Sequence, residues 1–361
     1  MSNNKLYKLD FLWSSQKEYF SLKYIYLEAK RYGFESRLIK VHKNIIRNFL
    51  KIKQLSDHIV ISHDSPLKRI KKLGWNGKYI YIEHGLGAMK YYTYKYSFFH
   101  EADLLFYPGN IFKQKMEALN PNFKNGLLGG YPKMDELYHL KINRKSLSKK
   151  YHLNYKKPII LFAPSWGGKY SYNSGINNIK YLKNIDNIIT IPHPADYSVA
   201  KKYDVIIPKE DESINQFLHL ADLVISDISS TLAEACLINK PVIQIILKKF
   251  SGCFPYKDKR NEEPWISKDI IENEMKNDFI KRPFKIPYID KDWILGHTCY
   301  PVDLEKTIIL ALTESKKFET ERIYWAKESC WKFDGNISKR ILAMIKKFID
   351  TGKPIQIESM K

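Results

Sequence analysis

Two histidines stand directly after apolar, strand-like runs: His84 in IEHGLGAMK (82–90) and His193 in IPHPADY (191–197). An imidazole at the carboxyl end of a strand can act as a general base near neutral pH. Gly85 and Gly87 follow His84 and let a ligand approach the backbone closely. Pro192 and Pro194 flank His193 and restrict its backbone, so that its ring can be aimed at charge developing on a phosphate. A single loop histidine more often caps a strand. Two from separate halves of the chain suggest one cleft.

A third segment, DLVISDISSTLAEACLINKPVI (222–243), ends a strand at Asp227 and opens a helix around Ser229, Ser230 and Thr231. Hydroxyls cap a helix start, and the free N–H groups and dipole there favour anions such as a diphosphate. Glu234, one turn in, could accept hydrogen bonds from ribose hydroxyls. Asp227, with Ile207 and Pro208 at the end of DVIIP (204–208), is placed with it on the nucleotide side. FAPSWGGKY (162–170) adds Ser165 and Lys169 as phosphate contacts and Trp166 as a pocket wall, although tryptophan more often packs than binds. GGYPKMDEL (129–137) contributes Lys133 and Asp135. Taken alone, that segment is a turn followed by a helix cap.

In open parallel sheets, ligands bind beyond the carboxyl ends of the strands. Apolar runs at 58–63, 78–85, 103–109 and 126–132 read as strands of a first half. Runs at 158–166, 187–194, 204–208, 222–227 and 241–246 read as strands of a second. Helical spacing appears at 16–32, 213–221, 230–239 and 337–349. This alternation predicts an α/β protein with two Rossmann-like domains built on parallel sheets. The basic stretch 138–157 marks the boundary. The expected division is 1–150, 151–335, and a C-terminal helix and tail (336–361) packing back across the domains. Residues 250–300 lack periodicity and read as an irregular insertion.

The chain has 361 residues, 44% of them hydrophobic, and no apolar run long enough for a membrane helix. Its polar N-terminus predicts a cytoplasmic protein. The four cysteines have no metal or disulfide spacing and read as reduced thiols. Neither metal nor cofactor is expected. Net charge is +21, and residues 1–150 hold 28 Lys and Arg against 12 Asp and Glu, a net of +16. Such a field favours anionic partners, including a membrane surface or a polyphosphate polymer. No RNA- or DNA-binding pattern accompanies it, so nucleic acid is not an expected partner.

Taken in order, HGLGAMK, GYPKMD, FAPSW, PHP, SDISSTLAEACLINKPVI and FDGNISKR (333–340) resemble the CDP-glycerol glycerophosphotransferase family of teichoic acid and capsule synthesis. The resemblance spans about residues 80–345. It implies a GT-B fold, with the acceptor on the first domain and a CDP-alditol donor on the second. It also implies that His84 is the base for the acceptor hydroxyl, His193 a second essential histidine near the transferred phosphate, and Ser229–Thr231 the phosphate-binding helix start. Members of this kind act at the inner membrane face on lipid-linked acceptors and release CMP. Several positions depart from the family pattern. Leu86 and Gly87 replace a Thr and a Pro, Lys133 and Gly167 each replace an Arg, and Ile228 replaces a Tyr. Lysine lacks the bidentate fork of arginine, so a phosphate contact at Lys133 differs. The main alternative is a GT-B glycosyltransferase using a nucleotide sugar. A UDP-sugar 2-epimerase, a nucleic-acid binder and a non-catalytic assembly protein are further readings.

Overall fold

The computed structural model describes residues 6–44, 47–48, 52–87, 93–94, 96–165, 175–227, 229–246 and 294–358. The chain divides into two compact units: Met1–Gly85, Tyr96–His139 and Cys330–Lys361 form unit 1, and Leu86–Lys95 and Leu140–Ser329 form unit 2.

Unit 1 is a six-stranded parallel sheet in the order β2-β1-β3-β4-β5-β6. Its strands are β1 (Tyr7–Trp13), β2 (Phe34–Lys40), β3 (His58–Ile61), β4 (Lys78–Ile82), β5 (Leu104–Tyr107) and β6 (Gly126–Leu128). Helices α1 (Gln16–Arg31), α2 (Asp64–Lys71), α3 (Ser97–His100), α4 (Asn110–Leu119) and α5 (Lys133–His139) connect them. The four residues of β5 are all buried, as a central parallel strand requires. β1 places a carboxylate, Asp10, inside its buried run. The Arg37 guanidinium from β2 grips it with bonds of 2.8 and 2.7 Å, and the Ser56 N–H adds a third at 2.8 Å. A buried charge is tolerable only when paired in this way. At the carboxyl end of β1, the Ser14 N–H and the Ser14 and Ser15 hydroxyls donate to Glu18 at 2.8–3.2 Å, and Ser15 caps α1.

Unit 2 carries five parallel strands in the order β11-β10-β9-β7-β8. They are β7 (Ile160–Phe162), β8 (Ile188–Thr190), β9 (Leu223–Ser226), β10 (Val242–Ile245) and β11 (His297–Cys299). Its helices include α6 (Arg144–Lys150), α7 (Tyr197–Ala200), α8 (Ile214–Leu220), α9 (Thr231–Leu237), α10 (Leu304–Thr313) and α11 (Glu319–Ser329). Phe162, Ile225, Ile243, Leu304 and Ile308 centre the core. Each such side chain removed from water contributes about 1.5–3 kcal/mol.

The final helix, α12 (Ile337–Thr351), follows unit 2 in sequence and belongs to unit 1. Ile337, Ile341, Leu342, Ile345 and Phe348 are buried on its apolar face, and Gly352 ends it at φ +69°. Beyond it, the Gln356 side chain bonds both the N–H (2.9 Å) and the carbonyl (3.0 Å) of Leu128 at the sheet edge.

Two expectations differ from what is observed, and a third falls mostly outside the described residues. The run 204–208 forms no strand. Among the described residues, its backbone hydrogen bond to the sheet is the Thr190 N–H to the Ile206 carbonyl at 2.8 Å. The units separate at His139/Leu140, so α6 lies in unit 2. There the Arg144 guanidinium binds the Leu220 carbonyl at 2.9 Å and the Asp222 carboxylate at 2.6 and 3.2 Å. The irregular segment expected at 250–300 falls mostly outside the described residues, and so does Cys253. Cys236, Cys299 and Cys330 are free and buried, and burial pushes the Cys236 and Cys330 thiols up to about 12. Among the described residues no helix is long and apolar enough to cross a membrane.

Candidate active site

Strand order reverses between β1 and β3 in unit 1 and between β7 and β9 in unit 2. Such switch points open the crevices in which α/β sheets bind ligands. The expected site residues can be placed against them.

In unit 1, β4 leads into Glu83 and His84. The His84 Nδ1 lies 2.8 Å from the Ser62 carbonyl, just past β3. A carbonyl oxygen only accepts, so Nδ1 carries the proton and Nε2 keeps its lone pair. This is the tautomer a general base needs. Glu83 is buried, accepts the His84 N–H at 3.3 Å and approaches Nδ1 to 3.8 Å. Gly85 is also buried.

His63, which the sequence reading did not single out, shares this corner. Its ring meets that of His84 edge-on, with centroids 5.8 Å apart. Its Nδ1 lies 2.8 Å from Asp64 Oδ1, 3.0 Å from the Ser65 hydroxyl and 3.2 Å from the Ser65 N–H. One nitrogen cannot both donate to the carboxylate and accept from the amide. The shorter, charge-assisted contact decides, and the proton sits on Nδ1. The Lys68 ammonium takes the other Asp64 oxygen at 2.7 Å. Burial pushes the Asp64 carboxyl up, but the hydrogen bonds from His63 and Lys68 outweigh it and hold the group well below the usual carboxylate range. The signal that could have found His63 is the pattern already used for His84, a short apolar strand running straight into a histidine.

The GYPKMD residues belong to the packing of unit 1. Gly130 has φ +86°, and a Cβ there would sit 2.8 Å from the Trp331 carbonyl, so the position requires glycine. Asp135 accepts from the Ile337 N–H at 2.9 Å and the Ser338 N–H at 2.7 Å, capping α12. Burial raises its carboxyl pKa against the lowering effect of those bonds. Lys133 is buried at the start of α5.

In unit 2, the carboxyl ends of β9, β7 and β8 lie side by side and carry Ser229–Thr231, Ser165 and His193 respectively. Asp227 is fully buried. It accepts the Ser165 N–H at 2.9 Å and the Gly175 N–H at 3.1 Å, pinning both ends of the segment between them. The Ser226 hydroxyl, donating to the Ala163 carbonyl at 2.6 Å, adds a second tie between β9 and β7. Asp227 therefore positions the loop through backbone contacts. Trp166 and Lys169 lie outside the described residues. The Ser229 hydroxyl accepts the Thr231 N–H at 3.3 Å and lies 3.0 Å from the Thr231 hydroxyl. Ser230 precedes α9 without a side-chain cap bond, and its hydroxyl reaches Glu234 at 3.5 Å. Glu234 is buried. Ile207 packs against the core of unit 2, and Pro208 is buried beside it. At His193, the Ala195 N–H donates to Nδ1 at 3.2 Å, so the neutral ring carries its proton on Nε2. The two histidines thus have opposite tautomers.

Two parallel α/β sheets with polar groups at their switch points define a protein of the two-sheet, nucleotide-binding α/β class. The family model described as CDP-Glycerol:Poly(glycerophosphate) glycerophosphotransferase matches residues 7–248, and the chain belongs to that family. It is accordingly a glycerophosphotransferase, and that activity is favoured over transfer from a nucleotide sugar. The fold is similar to that of the wall teichoic acid polymerase TagF, at TM-score 0.63 and 18% identity over 96% of this chain and 89% of that one. It is also similar to an S. aureus MnaA–UDP co-structure, at TM-score 0.57 and 15% identity over 98% and 100%. A putative UDP-N-acetylglucosamine 2-epimerase from Listeria monocytogenes gives TM-score 0.55 and 16% identity over the same shares. None of the curated proteins compared matches the chain.

Proposed function

We propose that this chain transfers glycerol phosphate from CDP-glycerol to the hydroxyl end of a poly(glycerophosphate) chain in teichoic acid synthesis, releasing CMP. The acceptor oxygen attacks the glycerol-bearing phosphorus and forms a new phosphodiester bond. Its proton passes to the His84 Nε2. The bond from that phosphorus to the CMP oxygen breaks, and the pair of electrons leaves with CMP. The Nε2–H of His193 and the hydroxyls of Ser229, Ser230, Thr231 and Ser165 hold the diphosphate and offset its developing charge. Glu234 accepts from the ribose. Phosphoryl transfer is mainly positioning and electrostatics, so no covalent intermediate is needed.

The observation that carries this reading is the pair of opposite tautomers. The Ser62 carbonyl leaves His84 with an accepting Nε2, while the Ala195 N–H leaves His193 with a donating one. A base and an anion contact require that difference. Solved relatives of the fold include TagF soaked with CDPG, at TM-score 0.62 and 17% identity, which suits a CDP-linked donor.

The basic excess of residues 1–150 supports work at the cytoplasmic face of the membrane, on a lipid-linked acceptor. The test incubates the purified protein with CDP-glycerol, CDP-ribitol or UDP-sugars, together with an oligomeric glycerophosphate acceptor. CMP released from CDP-glycerol alone is the expected outcome. UDP released from a UDP-sugar would replace the reaction with glycosyl transfer. The membrane reading predicts sedimentation with anionic vesicles that is lost as salt rises.

A further inference from the structure

The reaction proposed above gives His63 no task, yet its surroundings are organised. The ring lies at the end of β3, beside the unit 1 switch point and against His84. Its hydrogen bonds all pass through Nδ1, and Nε2 has no partner among the described residues. The side chain is 45% exposed. Behind it Asp64 is bound by Lys68, so the carboxylate's charge is shared before any ligand arrives.

We propose that His63 holds the phosphate of the acceptor itself, the ester group at the far end of the same glycerol unit whose hydroxyl His84 deprotonates. The inference rests on the glycerophosphotransferase reading. In a glycerophosphate chain, the terminal hydroxyl and the nearest phosphate stand at opposite ends of one three-carbon unit. Two adjacent imidazoles, one accepting at Nε2 and one open at Nε2, match that pair of groups. With Nδ1–H directed to Asp64, Nε2 is the nitrogen left for the phosphate oxygen, and it donates there once it has taken a proton from solvent. The charged ring then bridges carboxylate and phosphate through two charge-assisted hydrogen bonds. Asp64 fixes the orientation of His63, as a carboxylate behind a ligating histidine does elsewhere. The result is selection for an acceptor whose terminal unit carries a phosphate.

His63→Asn separates this role from a structural one. Asparagine is a preferred cap that can offer an oxygen to the Ser65 N–H at the start of α2 and an amide N–H to Asp64, but it has nothing at the Nε2 position. Initial rates are measured against glycerophosphate oligomers and against CDP-glycerol. The acceptor KM is expected to rise about ten-fold or more in His63→Asn, with donor KM and kcat near wild type. His63→Lys, which restores a cation, is expected to recover most of the loss. An unchanged acceptor KM, or a fall in kcat alone, overturns the inference. Calorimetric titration with sn-glycerol 3-phosphate reads the same contact without turnover. A wild-type protein that releases no CMP from CDP-glycerol sinks the transfer reading. Equal glycerol phosphate affinity in wild type and His63→Asn sinks this contact alone.

Discussion

The carboxyl edges of the two sheets are furnished differently. In unit 1 two histidine rings stand at the strand ends, each with its Nδ1 against an oxygen acceptor and each partly exposed. In unit 2 the charged group nearest the switch point, Asp227, is fully buried, and its carboxylate serves backbone amides. Hydroxyls and the His193 ring are what unit 2 presents beside it. In the proposed reaction the first edge moves the proton and the second holds the anion. The contrast teaches that a strongly polar strand end need not touch substrate. Whether its polar atoms are already satisfied by backbone separates the two cases.

Substitutions test this division directly. The largest effect is expected from His84→Ala, which removes the accepting nitrogen. The kcat should fall roughly a hundred- to ten-thousand-fold, while CDP-glycerol affinity measured by calorimetry stays near wild type. Unchanged turnover would end the assignment of His84 as base. His193→Ala should come next. Loss of one preorganised donor to developing charge costs roughly a hundred- to a thousand-fold in kcat. His193→Gln, which keeps a donor, should recover part of it. An equal loss in both variants would instead point to the bond with Ala195.

Asp227→Asn sharpens the comparison from the other side. The amide keeps one oxygen for a backbone N–H and turns a donor towards the other. Leaving one buried amide unsatisfied costs about 1–3 kcal/mol. Because Asp227 ties down the loop at Ser165, donor KM should rise several-fold, with a lower unfolding midpoint. A variant that loses turnover with donor affinity and stability intact would place Asp227 in the chemistry and erase the difference drawn here.

Much of the fold is legible in the sequence, because parallel strands buried on both faces read as short apolar runs. The failures share one cause: partners far away in the chain. β1 escapes the pattern because Asp10 interrupts it, and the Arg37 that makes Asp10 tolerable lies on another strand. The run 204–208 has the right composition for a strand, but among the described residues gains only one backbone hydrogen bond to the sheet. At the site, the positions of His84 and Asp227 at strand ends are legible. The direction of each tautomer is not, since it is set by Ser62 and Ala195. Ile207, expected on the nucleotide side, is partly buried and packs against the core of unit 2.

Asp135 is the most instructive of these, and it carries the smallest predicted effect. Its partners, the N–H groups of Ile337 and Ser338, lie some two hundred residues away, so no local reading of GYPKMD could assign them. A helix start with an acceptor removed loses about 1–2 kcal/mol. The cost of burying the Asp135 carboxylate opposes that gain, since its pKa is raised. Asp135→Ala should therefore lower the unfolding midpoint of the chain by only a few degrees. Asp135→Asn, which keeps one accepting oxygen, should lower it by less. Turnover per folded molecule should stay at the wild-type level in both. A raised KM for donor or acceptor in Asp135→Asn, with the midpoint unmoved, would return the residue to the binding machinery and leave α12 capped by other means.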